Sequence, residues 1–160
     1  MSLVRFLMLL SLVVWVGGIA FFAFVLAPTV FHPGILPSRQ LAGQVVSRSL
    51  GILHWIGLTS GLVFLVTSML DSQVTTGFTS VFAGRNLLVF AMVVLTLISM
   101  FAISPRMLQL RTDMVFIDFV PEHDARRVEF NRLHVWSTRL ESTVLLLGLG
   151  VIFLTARRLS

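Results

Sequence analysis

The sequence predicts an all-α integral membrane protein, a four-helix bundle made of two helical hairpins. Three observations point there. The 160 residues are 56% hydrophobic and 12% charged, with a mean hydropathy of +0.96. A soluble domain carries about 25% charged residues. Four apolar runs are each long enough for a membrane crossing, which takes about 20 residues. Finally, the two halves repeat. Phe24-Val25-Leu26-Ala27-Pro28 and Phe101-Ala102-Ile103-Ser104-Pro105 share an aromatic-x-x-small-Pro ending, and Leu53-His54-Trp55 and Leu133-His134-Val135-Trp136 each open an apolar run. The prolines lie seventy-seven residues apart and the histidines eighty apart.

The first span runs from about residue 6 to 31, with no charge after Arg5. It is longer than a signal-peptide core of about 7–15 residues, and no A-x-A-like site follows, so it reads as a retained anchor. The segment from His32 to Ser49 is broken by Pro33, Gly34 and Pro37. Ser38 can then cap a new helix whose apolar stripe is Leu41, Val45 and Val46. That short interfacial helix runs directly into span two, residues 50–70. Asp71 to Gly84 is rich in Ser, Thr and Gly and reads as a surface loop. Span three covers 87–104. Pro121 precedes a second amphipathic segment, Glu122 to Leu133, with Glu122/Arg126 and Glu129/Arg132 at helical pairing distance. It leads into span four, 140–156. No polar linker separates the spans, so 1–160 counts as one domain. Each hairpin crosses twice, so the two copies keep one orientation about an axis along the membrane normal.

Helical spacing selects inward faces. Ser47, Gly51, Gly57 and Gly61 share a stripe with His54, and Gly57-x-x-x-Gly61 is a close-approach motif. His134, Ser137, Glu141 and Gly148 share one on span four. Thr96, Ser99, Ile103 and Arg106 share a side of span three, where Pro105 frees a backbone carbonyl one turn earlier. Trp15, Gly18, Phe22 and Val25 form the contact face of span one. Helix packing is therefore expected through Trp15, Gly18, Gly57, Gly61 and Gly148. Chain direction brings His54, Arg106, His134, Ser137 and Glu141 to one membrane face as a polar cluster. Arg139 is off that stripe and reads as snorkelling to headgroups. His32 and His123 read as solvated loop residues.

Three readings of the cluster stay open. It can be a buried polar lock between hairpins, satisfying charges that are costly in lipid. It can be an ion or small-solute site, with Arg106 attracting anions and Glu141 coupling protons. Or it can hold haem between two histidines, or a divalent metal on His54, His134 and Glu141. No cofactor is required by the sequence. Without cysteine there is no c-type haem attachment and no thiolate site. No soluble-enzyme signature is present, so the balance leans away from an enzyme.

The charge of +5 is carried by arginine alone, all within reach of a span, which suits anionic lipid headgroups rather than nucleic acid. Arg39, Arg48, Arg106, Arg111, Arg126, Arg127, Arg132 and Arg139 lie on the cluster side, against Arg5, Arg85, Arg157 and Arg158 on the terminal side. By the positive-inside rule the cluster faces the cytoplasm and both termini are periplasmic in a bacterial inner membrane. A homo-oligomer through an exposed small-residue face is an open option, although the glycines are already needed within the bundle.

Trp15-Val16-Gly17-Gly18 with Phe22 and Pro28, Leu53-His54-Trp55, Ser104-Pro105-Arg106, and Phe130-Asn131-Arg132-Leu133-His134 with Glu141 occur in an order that resembles the family of eukaryotic transmembrane protein 205 and its uncharacterised bacterial counterparts. The resemblance covers nearly the whole chain. It implies a four-helix membrane domain and, through the eukaryotic member's association with platinum-drug resistance, export or trafficking. It supplies no catalytic residues. In outline the layout is also similar to copper-resistance membrane proteins and to the haem-binding four-helix protoporphyrinogen oxidase, but span one here carries no membrane histidine.

Overall fold

The computed structural model describes residues 2–77, 82–114 and 119–159, with side chains up to Arg157. Four long helices make up the described chain: α1 (Ser2–Val30), α2 (Arg39–Thr76), α3 (Gly84–Asp113) and α4 (Ala125–Arg157). All four are long and apolar enough to cross a membrane. At 1.5 Å rise per residue, the 38 residues of α2 reach well past a hydrocarbon core of about 30 Å. The segments before spans two and four are the overhanging first turns of α2 and α4, joined to their spans without a break.

Local chemistry accounts for the ends. Ser38 is extended (φ −154°), and its hydroxyl accepts from the Leu41 amide at 3.2 Å, capping α2. Gly77 closes α2 in the left-handed region at φ +73°. Each of α1 and α3 contains a proline but continues through it. A π-helical turn precedes both, Phe22–Leu26 before Pro28 and Ser99–Ile103 before Pro105. The residue just ahead of each proline closes the wider turn, Ala27 N–H to Phe22 O and Ser104 N–H to Ser99 O. Proline lacks an N–H and crowds the carbonyl one turn back. The wider turn relieves that crowding, so the repeated ending produces the same distortion twice.

The helices pack as two hairpins, α1 with α2 and α3 with α4, and the ring closes through α2–α3 and α1–α4 contacts. α2 and α4 therefore face each other across the diagonal. The core holds Met8, Leu12, Trp15, Val16, Ile19, Phe64, Val89, Met92, Val144 and Val151. Glycines set the helix spacing. A Cβ on Gly57 would lie 2.5 Å from Trp15 Nε1, and one on Gly61 would lie 2.7 Å from the same indole. Gly18 abuts Leu53, and Gly148 abuts Val16 and Met92. A smaller apolar cluster of Leu110, Met114 and Phe130 joins the end of α3 to the start of α4.

Three local expectations need correcting. Asp71 is not in a surface loop, because α2 runs on to Thr76 and buries it. Arg5 Nε donates to Asp71 at 2.9 Å, and Arg85 Nη2 lies 3.9 Å from it. Beside them Ser68 donates to Asn86 at 2.7 Å. Two cations on one carboxylate offset its desolvation, and a string of hydroxyls would be misread as loop by composition alone. Secondly, the acidic and basic residues before span four pair differently. Arg126 holds Asp124 at 2.8 Å, Arg127 approaches Glu122 at 4.0 Å, and Glu129 is taken by Arg106. α4 begins at Ala125, so Glu122 stands outside the helical register. Thirdly, Val25 is half exposed rather than on the contact face of α1, because it lies within the π-helical turn.

Candidate functional site

The polar centre lies on the diagonal. His54, 2% exposed, stands on the glycine-rich face of α2, and its Nε2 is 2.8 Å from Glu141 Oε1 on α4. Ser99, in the π-helical turn of α3, donates to the same oxygen at 3.3 Å. One carboxylate thus ties three helices and both hairpins. His54 Nδ1 is buried and has no hydrogen-bond partner among the described residues. That favours the tautomer in which Nε2–H donates to the carboxylate and Nδ1 keeps its lone pair, since an unmet acceptor is cheaper to bury than an unmet N–H. Glu141 is not sealed in. Its side chain is 14% exposed, and it lines a cavity of about 450 Å3.

The cavity occupies the end of the bundle away from both termini. Phe22, Ala23, Phe24, Ala27 and Pro28 of α1, with Phe31 just past its end, form one wall, and His134, Ser137, Thr138, Ser142 and Leu145 of α4 form the opposite one. The first turns of α2 and the last of α3 complete it with Gly43, Leu50, Met107 and Arg111. Its walls are mainly apolar, with a few convergent polar groups, as in small-molecule sites. Both π-helical turns serve it: one supplies Phe22 to Phe24, and the other holds Ser99 on Glu141.

Of the residues expected to cluster, His54 and Glu141 are bonded, while Ser137 is buried and His134 exposed, both on the cavity. His134 stacks on Phe130, with ring centroids 6.5 Å apart and planes within 4°. Arg106 is not with them. Its guanidinium makes a two-pronged pair with Glu129 at 2.8 and 3.0 Å on the surface, 45% exposed. The reason is the π-helical turn at Ser99–Ile103. A wider turn shifts the phase of every later residue, so a stripe drawn at α-helical spacing from Ser99 misses Arg106. The cation that does reach the cavity is Arg111. It donates to the Gly43 carbonyl and lies 5.4 Å from the Phe130 ring centroid. Sequence reasoning counted it only as a boundary arginine. Arg139 lies 5.7 Å from the Trp136 ring and takes no part. Among the described residues no three His, Asp or Glu side chains converge in a way that could hold a metal ion, and the candidate set of His54, His134 and Glu141 is not brought together as one.

Electrostatics outside the spans is simple. Asp124, just before α4, is held down to about 2 by hydrogen bonds from the Arg126 side chain and amide. No curated protein and no solved structure matches the chain. A family model does, over residues 10–115, which takes in most of α1 and all of α2 and α3 with His54, Ser99 and Arg111 and stops short of α4. By that match the chain belongs to the DUF4149 family, a domain of unknown function.

Proposed function

We propose that this chain is a non-enzymatic membrane protein that binds a small, largely apolar solute at one end of its bundle. The observation that carries the reading is the cavity of about 450 Å3, walled by Phe22, Phe24, Phe31, Leu50 and Leu145 and reaching the partly buried Glu141 carboxylate. Volumes of roughly 300–1,000 Å3 suit small ligands. A wall shared by α1 and α4 also fits entry from within the bilayer. The π-helical and proline-bearing end of α1 makes few close approaches to α4, so the two walls stand apart there. Arginine distribution supports an orientation with this end toward the cytoplasm of a bacterial inner membrane and the termini opposite. The export or trafficking role suggested by the resemblance to transmembrane protein 205 is compatible with such a site, and the present reading does not depend on it.

The test is photolabelling in nanodiscs with a diazirine-bearing long-chain alcohol. Labelling should saturate and map to residues 22–31 and 134–145. Ala23→Trp, which fills the cavity from α1, should abolish that saturable part. Uniform, unsaturable labelling that extends to lipid-facing Leu62 and Val66 would overturn the proposal.

One observation favours a second reading. The Glu141 carboxylate joins α2, α3 and α4 through His54 and Ser99, which is the geometry of a polar lock. If the group is only a lock, Glu141→Gln lowers thermal stability in detergent and leaves solute labelling unchanged. If it forms part of the binding floor, both change together.

A further inference from the structure

We propose that Arg111 is a headgroup site, and that the ligand of this cavity is an amphipathic anion whose apolar tail lies along the α1 wall. The inference deepens the binding reading and rests on it. It starts from a charge that faces no carboxylate among the described residues. Arg111 is half-buried and lines the cavity. Arg5, Arg106, Arg126 and Arg127 each face a carboxylate, on Asp71, Glu129, Asp124 and Glu122. Among the described residues Arg111 has none within ion-pair distance, and its contacts are a neutral carbonyl and an aromatic ring. Glu141, the carboxylate of the cavity, is already engaged by His54 and Ser99.

The position is built rather than incidental. A Cβ on Gly43 would lie 3.0 Å from Arg111 Cζ and from one terminal nitrogen, so the missing side chain admits the guanidinium. The Gly43 carbonyl and the Phe130 face then hold it in one orientation. A guanidinium taken partly out of water without an anionic partner is costly, and a carboxylate or phosphate suits its planar fork. A cationic ligand would be repelled. A neutral one would leave the charge unmet. A small inorganic anion would leave the apolar walls unused, and Phe22, Phe24, Phe31, Met107 and Leu145 offer a tail its surface.

The experiment uses two photoreactive probes in zwitterionic nanodiscs, a diazirine-bearing dodecanoate and the matching dodecanol. The carboxylate should saturate the site at a concentration at least tenfold lower than the alcohol, about 1.4 kcal/mol. Arg111→Gln should erase that difference by weakening dodecanoate alone, and Gly43→Ala should weaken it by displacing the same guanidinium. Arg106→Gln, on the surface pair, should leave both probes unchanged. Competition by phosphatidylglycerol in the disc, against competition by free dodecanoate, tells a lipid headgroup from a free fatty anion, and either supports the site. Equal saturation by both probes in the unmodified protein overturns the inference, whether or not Arg111→Gln folds. Saturable alcohol labelling in that case leaves the cavity reading standing. If neither probe saturates, the cavity reading fails, and the headgroup site fails with it.

Discussion

The diagonal bond between His54 and Glu141 makes a quantitative claim about how the two hairpins are held. Replacing Glu141 with Leu removes the 2.8 Å contact to His54 and the 3.3 Å contact from Ser99. Replacing His54 with Leu removes only the first. In a double-mutant cycle the Ser99 contribution cancels, because it is lost in both histidine backgrounds. What remains is the His–Glu coupling. A hydrogen bond to a charged group contributes about 1.5–3 kcal/mol in soluble proteins. Between membrane helices, measured side-chain couplings average about 0.6 and reach about 1.7 kcal/mol. His54 is almost fully buried, which favours the upper end, while the cavity leaves Glu141 14% exposed, which moderates it. The expected coupling is about 1–2 kcal/mol, with each single variant less stable than the original protein.

Reversible unfolding in mixed dodecylmaltoside and SDS micelles, followed by circular dichroism, gives the four stabilities. The leucine at 141 should cost less when residue 54 is already leucine, since the histidine no longer loses its acceptor. Additivity within about 0.3–0.5 kcal/mol would refute the bridge. The pair would then be two independently tolerated polar groups, and the register of the hairpins would have to come from the glycine faces.

Gly57→Ala should destabilise by about 1–3 kcal/mol through overpacking against Trp15, whereas Gly17→Ala, with nothing within 4 Å of a Cβ, should be neutral or stabilising; thermal melts of the two variants decide it. Asp71→Asn should cost about 3–5 kcal/mol, because Arg5 and buried Arg85 lose the carboxylate they share, and the same micelle titration reads it. Asp124 is lowered to about 2 from 3.8, so its contribution to the start of α4 is full above pH 4 and is lost as pH falls through 2. A carboxyl carbon NMR titration that finds the ordinary aspartate value would remove the Arg126 pairing as its cause.

Hydropathy made the four helices and their hairpin order legible, because a bilayer admits few alternatives for a 160-residue chain this apolar. The approach of His54 to Glu141 was legible too. Each lies on a face marked by small residues, and no π-helical turn interrupts either α2 or α4. Legibility failed wherever phase or partner was non-local. Arg106 and Val25 were misplaced for one shared reason: a π-helical turn intervenes and α-helical spacing ceases to apply. Asp71 was misread because its partners, Arg5 and Arg85, come from two other helices. Arg111 went unnoticed because its role depends on a glycine sixty-eight residues earlier, and no local pattern marks that.

The repeat is most informative where it breaks. The eighty-residue offset that relates His54 to His134 also relates Gly57 to Ser137 and Gly61 to Glu141. In the first hairpin both glycines are covered by the Trp15 indole. The residue seventy-seven positions after Trp15 is Met92, which packs beside Gly148 rather than over Ser137 and Glu141. The first copy therefore closes its inner face with an aromatic ring. The second leaves the equivalent face to a hydroxyl and a carboxylate, and the cavity lies against them. Two copies with the same proline-induced π-helical turns differ in what fills the shelf beside them. In one the shelf is packed shut by Trp15, and in the other it is open on Ser137 and Glu141. That difference concentrates the candidate chemistry on one side of the bundle. It also explains why a symmetric two-histidine clamp is not what the fold presents: His54 is committed to Glu141 in the interior, while its counterpart His134 stands on the cavity wall beside Phe130.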